Sequence, residues 1–328
     1  MTAKVLAFNK TGYDPFIDFL KAYSIFLVVI AHILPSALYK YVLFQVWGDM
    51  QVPMFILIQV FHAYKKDARP KLNWTTIFKR IICPFFIIQA VIICFKFLTG
   101  HEIIWTDFIC KGGYGPGSYY IWIYLQIAFL LVIIWPWLNR LTLKQSLYAF
   151  LIVSVGFEIL FSAINCPEAL YRLLCTRYLF LVPLALIWVR KGVVLNWKTI
   201  LLSLLSISAV LFFVFTNFDL EPIFFNTKWK FHRWICYFYL PFLMTYVLYL
   251  VWIKIKSINW IDNLIKWAAT RSYEIFLAQM AAIACIKTFI PSLTSNGIVV
   301  YVILASVILI LSFLLGGLIF WFQKQILK

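Results

Sequence analysis

The chain has 328 residues, of which 64% are hydrophobic and 20% aromatic, and its 29 lysines and arginines outnumber its 12 acidic residues. Soluble globular proteins contain roughly 45–50% apolar and about 25% charged residues. The composition therefore excludes a soluble enzyme, a disordered protein and a nucleic-acid-binding protein, and it predicts a chain that crosses a lipid bilayer many times.

Ten apolar segments follow one another along the chain, each close to the roughly 20 residues that a helix needs to cross the hydrocarbon core. They are residues 16–34, 43–62, 79–99, 119–138, 145–165, 172–190, 199–217, 234–253, 271–290 and 298–322. The connecting segments are short, and no internal repeat is visible. We therefore predict an all-α bundle of about ten transmembrane helices, with residues 1–328 forming a single integral-membrane domain.

The distribution of lysine and arginine predicts the orientation, because cytoplasmic loops are enriched in these residues. With the N-terminus inside, the inner segments carry 19 of them and the outer segments carry 8. Both termini are therefore predicted to be cytoplasmic, and the net charge of +17 largely follows from topology. The first apolar run contains Asp18 and Lys21, which predicts a retained span rather than a cleaved signal peptide.

Polar side chains within the spans are the main functional signal, because a charged group there costs at least roughly 2.5–3.5 kcal/mol. Lys21 and His32 of the first span lie about 16 Å apart along a helix and within about 20° of one face. The topology sorts such residues into two layers. The inner layer contains Asp18, Lys21, Lys79, Arg80, Arg271 and Glu274, and the outer layer contains His32, Asp49, Glu158, Arg172, Arg177 and the run 112–120.

The two layers favour two parts of one reaction, donor binding and catalysis. A cation-rich inner layer suits a phosphorylated cytosolic ligand. A histidine with nearby carboxylates in the outer layer suits general-base catalysis on a hydroxyl group. Together they predict the transfer of a chemical group across the membrane.

Each of these features also has a purely structural interpretation. The inner cations could anchor helix ends at the membrane surface, and Asp18 and Lys21 could form an ion pair within one helix. A histidine inside a membrane is more often a packed hydrogen-bonding residue than a catalyst. The glycine-rich run 112–120 lacks the GK[ST] ending of a P-loop, so it is interpreted as a mobile lid or a turn.

The seven cysteines include no CxxC pair and lie mostly in or beside apolar runs, which is typical of small buried hydrophobic residues. Only Cys110 and Cys166 fall in segments predicted to lie outside, so a disulfide between these two stays open. The histidines and acidic residues show no metal-binding spacing, and no metal site is predicted.

Five short motifs stand in chain order on this ten-span frame. They are Ile17-Asp18-x-Leu20-Lys21 with His32, Val52-Pro53-Met54-Phe55, Lys79-Arg80-Ile81-Ile82-Cys83-Pro84, Gly115-Pro116-Gly117-Ser118-Tyr119-Tyr120-x-Trp122 and Ser272-Tyr273-Glu274-Ile275-Phe276-Leu277. In this order they resemble the motifs of the integral-membrane acyltransferases known as acyltransferase family 3. The family usually has Arg where Lys21 stands and Ser-Gly where Gln59-Val60 stands. The resemblance covers most of the chain and is strongest in the first 125 residues.

The resemblance implies an acyl-CoA-dependent O-acyltransferase, usually an O-acetyltransferase, in a bacterial inner membrane. Such an enzyme moves an acyl group from cytosolic acyl-CoA to a hydroxyl of an extracytoplasmic or lipid-linked glycan. The implied partners are acyl-CoA as co-substrate, a glycan or glycolipid acceptor and the lipid bilayer, with no tightly bound cofactor.

His32 is the implied catalytic residue, acting as base or as acyl relay. Glu158 is inferred from its depth to be its partner, with Asp49 as the alternative. The predicted donor-binding residues are Lys21, Lys79, Arg80 and Arg271, and the predicted acceptor-binding residues are Tyr119, Trp122 and Arg177.

Two other hypotheses stay open. A transporter or flippase for a glycan or lipid intermediate could use the same charged interior as a passage, although such proteins often show internal repeats and paired broken helices. A family member with only a structural or partner role would fit the departures at Lys21 and Gln59-Val60.

Overall fold

The computed structural model describes residues 4–6, 13–65, 69–216, 240–289 and 298–326, and these residues are almost entirely helical. The first elements are β1 (Lys4–Leu6), α1 (Pro15–Ile33), α2 (Ser36–Tyr41), α3 (Phe44–Trp47), α4 (Gln51–Tyr64), α5 (Trp74–Leu98), α6 (Trp105–Lys111), α7 (Tyr119–Leu138) and α8 (Leu143–Ala163). The later elements are α9 (Glu168–Leu173), α10 (Leu181–Lys191), β2 (Val193–Leu195), α11 (Trp197–Thr216), α12 (Leu240–Ile255), α13 (Asn259–Thr270), α14 (Ser272–Phe289) and α15 (Ile298–Ile326). Predicted span residues 217, 234–239 and 290 lie outside the described residues, as does Cys236.

Five helices in the described part of the chain are long and apolar enough to cross a membrane, namely α1, α5, α7, α8 and α15. Their bounds follow the predicted segments closely, and α7 coincides with residues 119–138. Shorter apolar stretches lie within α11 and α12. The predicted class, an all-α membrane protein, is confirmed, while the count of ten spans and the cytoplasmic placement of both termini stay predictions.

The prediction of one continuous helix over residues 43–62 is wrong. α3 ends at Trp47 and α4 begins at Gln51. The ring of Phe44 packs directly on Gly48, where a Cβ atom would lie only 2.3 Å from that ring. The hydropathy of the sequence does not predict this turn, because the residues on both sides of it are apolar.

The prediction of one helix over residues 172–190 is also wrong. Leu174 has extended backbone angles between α9 and the 3₁₀ turn Cys175–Tyr178. The amide of Gln126 stabilises this break, since its Nε2 donates to the Leu173 carbonyl (2.6 Å) and its Oε1 accepts from the Cys175 N–H (3.0 Å). The following helix, α10, has 11 residues and a length of about 16 Å, which is too short to cross the membrane alone.

α1 lies at the centre of the bundle, where it packs against α4, α13 and α14. Leu20 belongs to a buried cluster that includes Leu57 and Phe61 of α4. Val28, two turns further along, belongs to a second cluster that includes Phe276 of α14. The central position of α1 places its last turn between helices that are far apart in the sequence.

Two short elements complete the fold. β1 pairs with β2 in antiparallel register, with Lys4 opposite Leu195. This pairing holds the N-terminal segment on the side of the bundle where α10 connects to α11. α13 is amphipathic, with Ile265 and Ala268 buried and Trp260 exposed, as is typical of a helix that lies in the membrane interface.

Candidate active site

His32 lies in the last turn of α1, where the backbone is fixed on both sides of it. The hydroxyl of Tyr39 donates to the Ala31 carbonyl, and the hydroxyl of Tyr301 donates to the Ile33 carbonyl at 2.6 Å. The imidazole itself is partly buried and forms no hydrogen bond with a described residue. No side chain in the described ranges therefore binds its ring nitrogens.

An inner cavity of about 180 Å³ begins at His32 and extends along α1. His32, Val28 and Ile25 line it on one side, one helical turn after another, which corresponds to a length of about 10 Å. Its other walls come mostly from aromatic residues of α4, α7 and α14, namely Phe55, Tyr120, Tyr124, Tyr273 and Phe276. The cavity is narrow and largely apolar, and its polar groups are mainly tyrosine hydroxyls.

The far end of the inner cavity lies at a π-helical turn of α5, Phe78–Ile82. Ile81 and Tyr273 both line the cavity there, and the Tyr273 hydroxyl donates to the Ile81 carbonyl at 2.6 Å. Lys79 and Arg80 belong to the same π turn and are exposed. The basic pair predicted from the sequence therefore lies beside the end of the cavity that is farthest from His32.

An outer pocket of about 790 Å³ meets the inner cavity at His32. Its lining is more polar than that of the inner cavity, and it includes Lys111, Ser118, Glu168, Arg172 and Arg177. His32, Gly117 and Tyr119 line both the outer pocket and the inner cavity. The histidine therefore lines both an apolar cavity and a pocket that carries several charged side chains.

The glycine-rich segment 112–118 lines the outer pocket with residues 115–118 and the inner cavity with Gly117, and side chains hold it in place. Gln89 Nε2 donates to the Tyr114 carbonyl at 3.0 Å, and the Tyr114 N–H donates to Gln89 Oε1 at 2.6 Å. The indole of Trp122 donates to the Gly112 carbonyl at 2.8 Å. These bonds favour the interpretation as a fixed turn over that of a mobile lid.

Gly117 of this turn lies directly against the histidine. Its φ of +85° is in the left-handed region, and a Cβ atom there would lie 2.8 Å from the Phe276 ring and 3.7 Å from His32 Nε2. A side chain at this position would be strained and would occupy the space beside Nε2. Glycine therefore keeps the approach to this nitrogen open.

Arg177 and Glu158 belong to one buried cluster on the outer side. The Arg177 guanidinium stacks over the rings of Tyr119 (5.3 Å) and Tyr178 (4.7 Å). Glu158 accepts a hydrogen bond from the Tyr171 hydroxyl and interacts electrostatically with Arg177. The structure therefore places Glu158 behind the wall of the outer pocket.

A family model described as an acyltransferase domain, Acyl_transf_3, matches residues 14–317. This match covers nearly the whole chain. The chain belongs to acyltransferase family 3. No curated protein and no solved structure matches it. It is therefore a membrane acyltransferase by family, and its individual activity has to be argued from its own residues.

In this acyltransferase, His32 and its predicted carboxylate partners are not brought together. Neither Glu158 nor Asp49 hydrogen-bonds the imidazole within the described part of the chain, and Glu158 instead contacts Tyr171. Within the described residues, Lys287 near the end of α14 is close enough to His32 to interact with it electrostatically.

Three other predicted residues lie away from both cavities. Lys21 Nζ lies 3.3 Å from Asp18 Oδ1, so the structural ion pair considered above is formed. Trp122 holds the glycine turn through its indole. Arg271 lines a separate groove beside α15.

The residues that the sequence analysis missed are mainly the aromatic walls of the inner cavity. Tyr120 and Tyr124 are four residues apart on α7, and Tyr273 and Phe276 are three apart on α14, spacings that put each pair on one helix face. Such pairs are common in any apolar helix. Only the packing of α7 and α14 around α1 gives them a shared role.

Proposed function

We propose that this acyltransferase moves an acyl group, usually acetyl, from cytosolic acyl-CoA to a hydroxyl of an extracytoplasmic or lipid-linked glycan in a bacterial inner membrane. The observation that carries the proposal is the position of His32, which lines both the narrow apolar cavity and the charged outer pocket. A group transfer between two substrates that enter from opposite sides requires a reactive residue at such a junction.

The inner cavity suits the donor. Its volume of about 180 Å³ is below the roughly 300–1,000 Å³ of sites for drug-sized ligands, so it suits an extended chain such as the pantetheine arm. The nucleotide part of CoA stays at the cytosolic surface in this arrangement. Lys79 and Arg80, which are exposed beside the cavity end, then bind its phosphates.

The outer pocket suits the acceptor. Its larger volume and charged lining are typical of a site for a hydrated sugar, with Arg177 and Tyr119 as one stacked wall. Arg172 and Glu168, which form an ion pair at the rim, add hydrogen-bonding groups. Glu158 acts indirectly in this scheme by fixing Arg177 and Tyr171.

The chemistry follows from the position of the imidazole. As general base, His32 takes the proton of the acceptor hydroxyl while the hydroxyl oxygen attacks the thioester carbonyl carbon. The C–S bond breaks, an ester C–O bond forms, and the CoA thiolate leaves and is protonated. As acyl relay, an imidazole nitrogen attacks the thioester carbonyl carbon and displaces the CoA thiolate, and the acceptor hydroxyl then attacks the acyl-imidazole, loses its proton and releases the imidazole.

The test is thermal stabilisation of the purified protein by acetyl-CoA and CoA, compared with Lys79→Ala/Arg80→Ala and His32→Ala. We expect a rise in melting temperature that the double variant loses and His32→Ala retains. Lys254→Ala/Lys256→Ala, which removes two exposed cations from another predicted inner segment, is the matched control. A folded sample that responds to no acyl-CoA would contradict the donor assignment and favour a transporter or flippase of a glycan or lipid intermediate.

A further inference from the structure

A second groove, of about 530 Å³, lies between the α13–α14 junction and the last helix, α15. Trp267 and Arg271 form one side of it, and Gly317, Phe320 and Lys324 form the other. None of its lining residues belongs to the inner cavity or the outer pocket. The groove is therefore separate from the proposed transfer site.

Arg271 is held in a fixed position at one end of this groove. Its guanidinium carbon lies 5.0 Å from the ring centre of Trp267 and 4.5 Å from that of Phe320. Its Nη1 donates to the Trp267 carbonyl and to Thr270 Oγ1. A guanidinium stacked between two rings in this way keeps its remaining N–H groups oriented toward a ligand.

The charge of the groove is positive. Lys324 is exposed and forms no ion pair with a residue in the described ranges, and the groove lining includes no acidic side chain. Glu274 does interact electrostatically with Arg271 but lies outside the lining. Two cations at one end of a groove without a lining carboxylate favour an anionic ligand.

The rest of the groove is apolar and exposed. Leu314, Leu318 and Trp321 occupy one face of α15 at i, i+4 and i+7, and each is more than half exposed. Leu314 lies ten residues before Lys324, which is about 15 Å along the axis. In the predicted topology this stripe runs from the cytoplasmic surface toward the middle of the bilayer.

We propose that this groove binds an anionic phospholipid of the inner leaflet, with the phosphate between Arg271 and Lys324 and an acyl chain along the α15 stripe. The shape fits because one end offers charge-assisted hydrogen bonds and the other end offers apolar surface of the length of an acyl chain. Arg271 then acts on a lipid rather than on CoA. This site is independent of the proposed function.

The experiment is native mass spectrometry of the delipidated full-length protein titrated with phosphatidylglycerol or with phosphatidylcholine of the same acyl chains. We expect one phosphatidylglycerol to bind preferentially, and Arg271→Gln/Lys324→Gln to weaken that binding about 30-fold, since each basic residue near a membrane surface contributes on the order of 1 kcal/mol. Lys324→Gln alone, at an exposed position that leaves the Arg271 packing intact, should weaken it about fivefold. Lys254→Gln/Lys256→Gln should leave it unchanged.

Equal binding of the two lipids, or unchanged binding in both groove variants, would overturn the proposal. Thermal stabilisation by CoA separates it from the transfer site. The groove double variant should keep the full CoA response, whatever the outcome for Lys79 and Arg80. If it loses the CoA response, the groove holds the nucleotide and the lipid assignment is wrong.

Discussion

The inner cavity and the outer pocket differ in size, polarity and construction, although they share His32. The inner cavity is about 180 Å³ and is enclosed by α1, α4, α7 and α14. The outer pocket is about 790 Å³, and much of it comes from the glycine turn, α9 and the 3₁₀ turn. The difference supports the proposal that the donor enters as a thin chain and that the acceptor is larger and more hydrated.

The two regions also differ in how well they tolerate amino-acid substitution. Helices that pack in the bundle core resist substitution, whereas short helices and turns at the surface tolerate change. The inner cavity therefore rests on the most constrained part of the fold. Under the proposed function, acceptor preference in this chain is set by residues such as Lys111, Arg172 and Arg177.

The largest effect should come from removing the residue that joins the two regions. His32→Ala is expected to lower acyl transfer by at least roughly 10²–10⁴-fold, the usual contribution of a positioned general base. The measurement is CoA release from acetyl-CoA in proteoliposomes supplied with a lipid-linked glycan fraction. Full activity of this variant, with an unchanged melting temperature, would exclude His32 from the chemistry.

Filling the space between Gly117 and His32 should have the next largest effect. Gly117→Ala combines a φ of +85° with a Cβ beside Phe276 and His32, so we expect a loss of stability of about 1–2 kcal/mol and at least a tenfold loss of turnover. The matched control is Gly156→Ala on α8, where a Cβ meets open space. If both variants behave alike in melting temperature and turnover, the packing of Gly117 has no role.

A change confined to the outer pocket should affect only the acceptor. Arg177→Lys keeps the charge but loses the planar group that stacks over Tyr119 and Tyr178, an interaction of about 0.5–2 kcal/mol. We expect the KM for the acceptor to rise about tenfold while the KM for acyl-CoA is unchanged. Arg190→Lys on α10 serves as the control, and a parallel rise in both KM values would contradict the division of the two regions.

A change confined to the inner cavity should show the reverse pattern with a smaller effect. Tyr273→Phe removes the hydroxyl that donates to the Ile81 carbonyl of the π turn, a bond of about 0.5–1.5 kcal/mol. The KM for acyl-CoA should rise about threefold and that for the acceptor should not change. Tyr64→Phe, which removes a hydroxyl bonded to the Leu131 carbonyl, controls for the general loss of such a bond.

The long helices could be predicted from the sequence because hydrophobicity and length are local properties. α7 and α15 illustrate this, since each is a single uninterrupted apolar run. The breaks at Gly48 and Leu174 could not be predicted, because they depend on Phe44 packing and on a hydrogen bond from Gln126 of another helix. Apolar composition continues across both breaks.

The site could be predicted only in part for the same reason. His32 stood out because a polar ring in an apolar span has few structural explanations. The sequence placed the glycine-rich run in the same layer as His32, but it could not single out Gly117, because that contact depends on the packing of the glycine turn against α1 and α14. Depth in the membrane suggested Glu158 as its partner, but depth alone does not give the direction around the bundle.

α5 contacts both the inner cavity and the glycine turn. It carries the π turn with Lys79 and Arg80 near its start, and Gln89 lies further along it. Gln89 lies about 15 Å along the axis from Lys79 and clamps the turn that borders His32. A π turn holds one extra residue per turn, so its conversion to regular α-helix shifts and rotates everything that follows it. α5 therefore connects the exposed basic pair to the glycine turn, so a ligand that alters the π turn would also shift the residues that border His32.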